Sequence, residues 1–257
     1  MKIRITRSIV PNLFTLVNLF MGFTAIVYIA NDDYRTAVLC IFVAALFDML
    51  DGVVARILRS ASEFGVELDS LCDAVSFGIA PAYLSYKVFF YQYGEIGILF
   101  GALPALTGVV RLARFNVQVS GFEDKLYFTG LPIPGGALTL ISFILFFYLT
   151  DIIHIEYKGI SFFAVTLVTS LAMVSKIKFN NIPRPSKRAI KQNPVVFAIF
   201  LVGVILSIIS KGYFIFPFMV FYIFASVIRY VYHRIKTIRQ SSSELDDIEE
   251  DESISQD

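Results

Sequence analysis

Asp48, Asp51, Asp69 and Asp73 fall within one 26-residue stretch, DMLDGVVARILRSASEFGVELDSLCD, flanked on both sides by strongly apolar sequence. The first two are three residues apart and the last two four apart, so on helices each pair shares a face. An ionised carboxylate in apolar surroundings costs several kcal/mol unless it is neutralised. Two divalent cations would supply four positive charges against four negative ones. The spacing therefore predicts a two-metal site inside a membrane.

The rest of the chain fits that setting. Its 257 residues are 56% hydrophobic, far above a soluble domain of this length. Continuous apolar runs fall at residues 11–30, 36–57, 68–90, 95–115, 133–151, 161–176, 194–210 and 213–233. Most approach the roughly 20 residues needed to cross a hydrocarbon core of about 30 Å. Continuous rather than alternating runs exclude a barrel, leaving an all-α polytopic bundle of about eight transmembrane helices. Cys40 and Cys72 lie within such runs without metal-ligand spacing and read as small buried hydrophobes. The apolar stretch after the basic start is long enough to span and has no clean cleavage site, so it reads as a retained first helix.

Charge placement gives an orientation. One set of inter-span segments carries Lys2, Arg4, Arg7, Arg56, Arg59, Arg111, Arg114, Lys125, the cluster from Lys176 to Lys191, and Arg234, Lys236 and Arg239. The opposite segments offer Arg35, Lys87, Lys158 and Lys211. The excess of Lys and Arg predicts both termini and the aspartates on the cytoplasmic side of the cell membrane. A formal net charge of +1 gives no reason to expect nucleic acid as a partner. Residues 1–240 read as one membrane domain, and the acidic stretch 241–257 as a disordered tail.

Around the acids, Gly52 and Gly65 remove side-chain bulk, either for helix packing or to admit a phosphate. Arg56, Arg111 and Arg114 bring permanent positive charge to the same end, and guanidinium groups bind phosphate or carboxylate through two parallel bonds. Hard cations on carboxylates likewise suit phosphate oxygens, and magnesium and manganese fit equally. A phosphorylated, lipidic substrate is the expected class. Asn12, Thr15 and Asn18 recur at helical spacing on the first span and could make interhelical hydrogen bonds.

The pattern D48-x2-D51-G52-x2-A55-R56-x8-G65-x3-D69-x3-D73 resembles the signature of the CDP-alcohol phosphatidyltransferases at every fixed position. That resemblance implies transfer of a phosphatidyl group from CDP-diacylglycerol to an alcohol, with release of CMP. It implies that Asp48, Asp51, Asp69 and Asp73 ligate the metal pair and that Asp73 is also the general base. It further implies contacts to the CDP moiety from Gly52, Arg56 and Ser62, with Asn12, Thr15 and Asn18 as further nucleotide contacts, and a homodimeric protein.

Outside the signature, PNLFTLVNLFMGF, DSLCDAVSFGIAPA, RLARFN, FTGLPIPGGA and LAMVSKIKF are similar to the bacterial and archaeal phosphatidylserine synthases of that family, up to about residue 180. L-serine is the acceptor so implied, with phosphatidylserine and CMP as products. Its carboxylate needs a cation, for which Arg111, Arg114 and Asn116 are candidates; Glu67 and Ser76 are candidates for its ammonium. Glycerol 3-phosphate or an inositol phosphate is the alternative acceptor, and would call for a further basic cluster. A cation- or proton-coupled transporter is the alternative of a different class, and would need a site open to both sides.

Overall fold

The computed structural model describes residues 9–119 apart from 59 and 61, and then 128–150, 152–179 and 194–254. The basic residues Lys2, Arg4, Arg7, Arg59, Lys125, Arg184, Lys187, Arg188 and Lys191, on which much of the orientation argument rests, lie outside the described residues.

Helices α1 (Ile9–Ala30) and α2 (Tyr34–Leu58) form an antiparallel hairpin. Asp32 closes the turn between them with a left-handed φ of 61°, a conformation that Asp tolerates. Its carboxylate accepts from the Tyr34 hydroxyl at 2.8 Å and pairs with Lys87 at 3.1 Å. These two partners, Tyr34 first, hold it below the usual carboxylate range.

Ser62 caps α3 (Glu63–Asp73), which passes through a π-helical turn at Ala74–Ile79 into α4 (Ala80–Val88). Pro81, just past that turn, has no N–H to continue an α-helical ladder, and the wider turn accommodates the loss. A 3-10 turn, Phe90–Tyr93, leads into α5 (Gly94–Val119). Then come α6 (Ile133–Phe143) with a π-helical extension to Tyr148, α7 (Ile155–Val174), α8 (Pro194–Ile209) and α9 (Ile215–Ile254). A two-residue antiparallel ladder, β1 (Phe128–Thr129) with β2 (Lys178–Phe179), ties the segment before α6 to the one after α7.

The burial pattern is that of a membrane bundle. On α1 the buried stripe is Pro11, Thr15, Asn18, Gly22, Ala25 and Ile29, small or polar over most of its length. Phe20 and Phe23, 61% and 59% exposed, lie on the opposite face. Without a hydrophobic force between helices in lipid, close packing and hydrogen bonds draw such stripes together. At the end remote from the aspartates, aromatic rings fill the core instead: Phe89 stacks on Phe162 at 4.6 Å, with Phe90, Phe163 and Tyr148 edge-on around them.

Each of the eight apolar runs forms a helix, but among the described residues only five helices are long and apolar enough to cross a membrane: Ile9–Ala30, Tyr34–Leu58, Phe90–Val117, Ile155–Val174 and Ile215–Tyr232. The run at 68–90 belongs to a continuous helix, α3 through the π turn into α4, that carries carboxylates in its first half, while α6 and α8 are short. Helix α7 starts at Ile155 rather than 161, because Glu156 and Lys158 in its first turns are at the surface. The acidic stretch from 241, expected to be disordered, is helical to Ile254. Extending a formed helix avoids the cost of nucleation, which the composition argument ignores.

A Cβ on Gly22 would lie 2.2 Å from Ser76 Oγ and 2.7 Å from Ser76 Cα, whereas one on Gly159 would meet nothing nearer than the Phe89 ring at 3.8 Å. Gly22→Ala is expected to destabilise the bundle by about 1–3 kcal/mol. Gly159→Ala should be neutral or slightly stabilising, since Ala is the better helix former. Melting curves in detergent check the contrast.

Candidate active site

The site forms among the first half of α1, the end of α2, the length of α3, with Ser62 and Gly65 at its start and Asp69 and Asp73 toward its end, and the last turns of α5. The α1–α2 hairpin brings Thr15 and Asn18 alongside Asp48 and Asp51, and the reversal through Ser62 returns Asp69 and Asp73 to the same level. Carboxylate oxygens of Asp48, Asp51 and Asp69 all lie within 4.8 Å of one another. Asp73 follows Asp69 by four residues, on the same face of α3, and is 7% exposed.

Two unit charges 4–5 Å apart repel by roughly 3–4 kcal/mol at an effective dielectric of about 20. Four cannot stay ionised here without compensation. Asp69 Oδ1 is moreover buried with no hydrogen-bond partner among the described residues. Such an orphan ordinarily costs about 1–3 kcal/mol. An all-oxygen donor set with an unsatisfied carboxylate oxygen fits hard divalent cations, so the cluster is able to hold metal.

The side chains of α1 hold two of the acids. Thr15 Oγ1 donates to Asp51 Oδ2 at 2.7 Å, and Asn18 Nδ2 donates to Asp73 Oδ1 at 3.1 Å. Of the two roles open to these residues in the sequence, the interhelical hydrogen bond is the one observed, and its partners are the carboxylates themselves. Ser76, in the π turn, donates from Oγ to the Asn18 carbonyl at 3.0 Å. Its hydroxyl hydrogen is therefore committed to the backbone of α1, while the oxygen can still accept.

Beside this row, Gly65 sits in a narrow corner. A Cβ there would approach Ser62 Oγ at 3.2 Å and Asn12 Oδ1 at 3.4 Å. Ser62 Oγ accepts the Gly65 amide at 3.1 Å as the helix cap, leaving its own hydrogen free to donate. Arg56 is exposed and folds back along α2, its Nη1 3.6 Å from where a Gly52 Cβ would be.

The three candidates for the acceptor's carboxylate part company. Arg111 is 8% exposed, has its guanidinium 5.7 Å from the Phe115 ring centroid, and interacts electrostatically with Asp73 and Tyr222. Arg114 turns away, and its Nη1 donates to the Val174 carbonyl at the end of α7 at 3.0 Å. Asn116 bridges α5 to α3, accepting from Ser70 at 3.1 Å and donating to the exposed Glu67 at 3.2 Å. Tyr222, from α9, is within electrostatic range of Arg111, a pairing that no local spacing announces.

A helical membrane bundle with clustered acids and a buried arginine at one end is the frame of an enzyme working on phosphorylated substrates at a membrane. The chain belongs to the CDP-alcohol phosphatidyltransferase family, which matches residues 8–176. It is 31% identical over 228 residues to the CDP-diacylglycerol–serine O-phosphatidyltransferase of Helicobacter pylori strain J99, covering 89% of this chain and 93% of that protein. A protein of the same description from Methanocaldococcus jannaschii is 33% identical over 220 residues, 84% of this chain and 92% of the relative. The archaetidylserine synthase of Methanothermobacter thermautotrophicus is 37% identical over 171 residues, 66% of this chain and 68% of the relative.

If like-charge crowding is offset by bound cations, Asp48→Asn should raise the melting temperature in chelator, because one repelling charge is gone, and should abolish the rise on adding magnesium or manganese. Differential scanning fluorimetry in detergent checks both signs.

Proposed function

We propose that this protein transfers the phosphatidyl group of CDP-diacylglycerol to L-serine, giving phosphatidylserine and CMP. The observation that carries this reading is the cluster of Asp48, Asp51 and Asp69 at one end of a membrane bundle, with Asp73 one helical turn on. The choice of serine is supported by relatives named for serine transfer that align over most of the chain. Membrane lipids surround the protein and supply the donor. The excess of basic residues at the site's end supports a cell-membrane enzyme with both termini and the active site facing the cytoplasm. Family resemblance supports a homodimer.

In this reading Asp48, Asp51, Asp69 and Asp73 hold two divalent cations, magnesium or manganese. When bound, these supply Lewis-acid stabilisation of negative charge on the pyrophosphate and the departing CMP. Asp73 takes the proton of the serine hydroxyl. That oxygen bonds to the phosphorus bearing the diacylglycerol, and the bond from this phosphorus to the bridging oxygen of CMP breaks. Arg111, buried and within electrostatic range of Asp73, would meet the serine carboxylate and orient the hydroxyl toward the base. Arg114 and Asn116 act on the scaffold, through the end of α7 and through α3. Gly52, Arg56, Ser62, Gly65 and Asn12 form the side on which the CDP moiety lies. Holding donor and acceptor together removes the entropic cost of their encounter, which can reach several kcal/mol.

Purified protein given CDP-diacylglycerol and magnesium should release CMP with L-serine and not with glycerol 3-phosphate or an inositol phosphate. Asp73→Asn should lower the rate by at least about 100-fold, within the range of general-base catalysis. CMP release with another alcohol in place of serine would keep the family chemistry and overturn the acceptor.

A further inference from the structure

We infer that Thr15 and Asn18 are positioning residues that aim two of the catalytic carboxylates, rather than groups that bind the nucleotide. The inference rests on the phosphatidyl-transfer reading above and assigns α1 a role in it. Thr15 and Asn18 are three residues apart on the buried stripe of α1, 4% and 0% exposed. The single Thr15 hydroxyl hydrogen has two acceptors in range, the Pro11 carbonyl at 3.1 Å and Asp51 Oδ2 at 2.7 Å, and the shorter, charge-assisted bond takes it. Asn18 Nδ2 donates to Asp73 Oδ1 at 3.1 Å. Each bond occupies one oxygen of its carboxylate and fixes the rotation of the other.

Two further features separate this from ordinary helix packing. Asn18 Oδ1 is buried with no hydrogen-bond partner among the described residues. A residue present only for packing would do better without that unsatisfied oxygen. The backbone of Asn18 is itself clamped, because Ser76 Oγ donates to its carbonyl at 3.0 Å and Gly22, one turn on, lies against Ser76 with no room for a Cβ. Ser76 stands three residues after Asp73, so α1 grips Asp73 by its side chain and the following π turn by its hydroxyl. Partners of metal-binding carboxylates that fix them in this way typically change metal affinity or activity by 10–100-fold when removed.

The test uses the full chain in detergent, comparing wild type with Thr15→Val, Thr15→Ser and Asn18→Leu. One readout is the manganese concentration at half of the metal-dependent rise in melting temperature, without substrates. The others are kcat and the KM for CDP-diacylglycerol. Thr15→Val and Asn18→Leu should raise the manganese midpoint and lower kcat by about 10-fold or more each. KM for CDP-diacylglycerol should stay within about twofold, the pattern of a lost positioning interaction rather than a lost binding contact. Thr15→Ser, which keeps the hydroxyl, should recover most of both losses. A raised KM for CDP-diacylglycerol with unchanged manganese midpoint and kcat would overturn the inference in favour of nucleotide contact. No change in any readout would also overturn it. Should Asn18→Leu fail to fold, Thr15→Val decides, since Val has nearly the shape of Thr. Failure of the transferase reading would show separately, as wild type that releases no CMP, while the manganese midpoints still report on the carboxylates.

Discussion

Repulsion among carboxylates forced together in an apolar bundle is the constraint from which the rest of this structure follows. Asp48, Asp51, Asp69 and Asp73 come from two helices, and nothing in lipid would bring them together unaided. The surrounding elements read as the means of doing so. The tight α1–α2 hairpin sets the level of the first pair, the Ser62 cap starts the helix that returns the second pair, and the π turn after Asp73 packs on α1 through Ser76. The cost is local, and the cations of the proposed mechanism would offset it.

Magnitudes separate the roles of the polar residues around the cluster. Interhelical hydrogen bonds in membranes average about 0.6 kcal/mol and charge-assisted ones about twice as much, so the bonds from Thr15 and Asn18 add only modestly to the stability of the fold. Repulsion between neighbouring acids is several times larger. Small bonds of this kind can still decide where a carboxylate oxygen points, and this is where their proposed value lies. Packing at the opposite end is a different matter, with Phe89, Phe90, Phe162 and Phe163 closing the bundle by ring contacts that no reacting group needs.

The acids, their helices and the all-α membrane class were legible in the sequence because each depends on local spacing or on unbroken apolar runs. Other features depend on contacts between distant residues and were not. Arg111 and Arg114 look equivalent at three residues' separation, yet one is buried within electrostatic range of Asp73 and the other ends on the Val174 carbonyl of α7. Ser76, a candidate for the serine ammonium, gives its hydrogen to the Asn18 carbonyl and keeps its lone pairs as acceptors, and Tyr222 comes from a helix more than a hundred residues away. The number of spanning helices was also poorly constrained, since apolar runs do not show the shortness of α6 or the carboxylates that lower the hydropathy of the helix containing 68–90.

Counting bound metal tests the central claim most directly. Equilibrium dialysis of the purified protein against manganese, with metal measured per chain, should give two ions, falling to one or none in Asp69→Asn at the same free concentration. A wild-type protein that binds no manganese at millimolar levels, or binds it equally well without Asp69, would contradict the account of the four aspartates as a metal site.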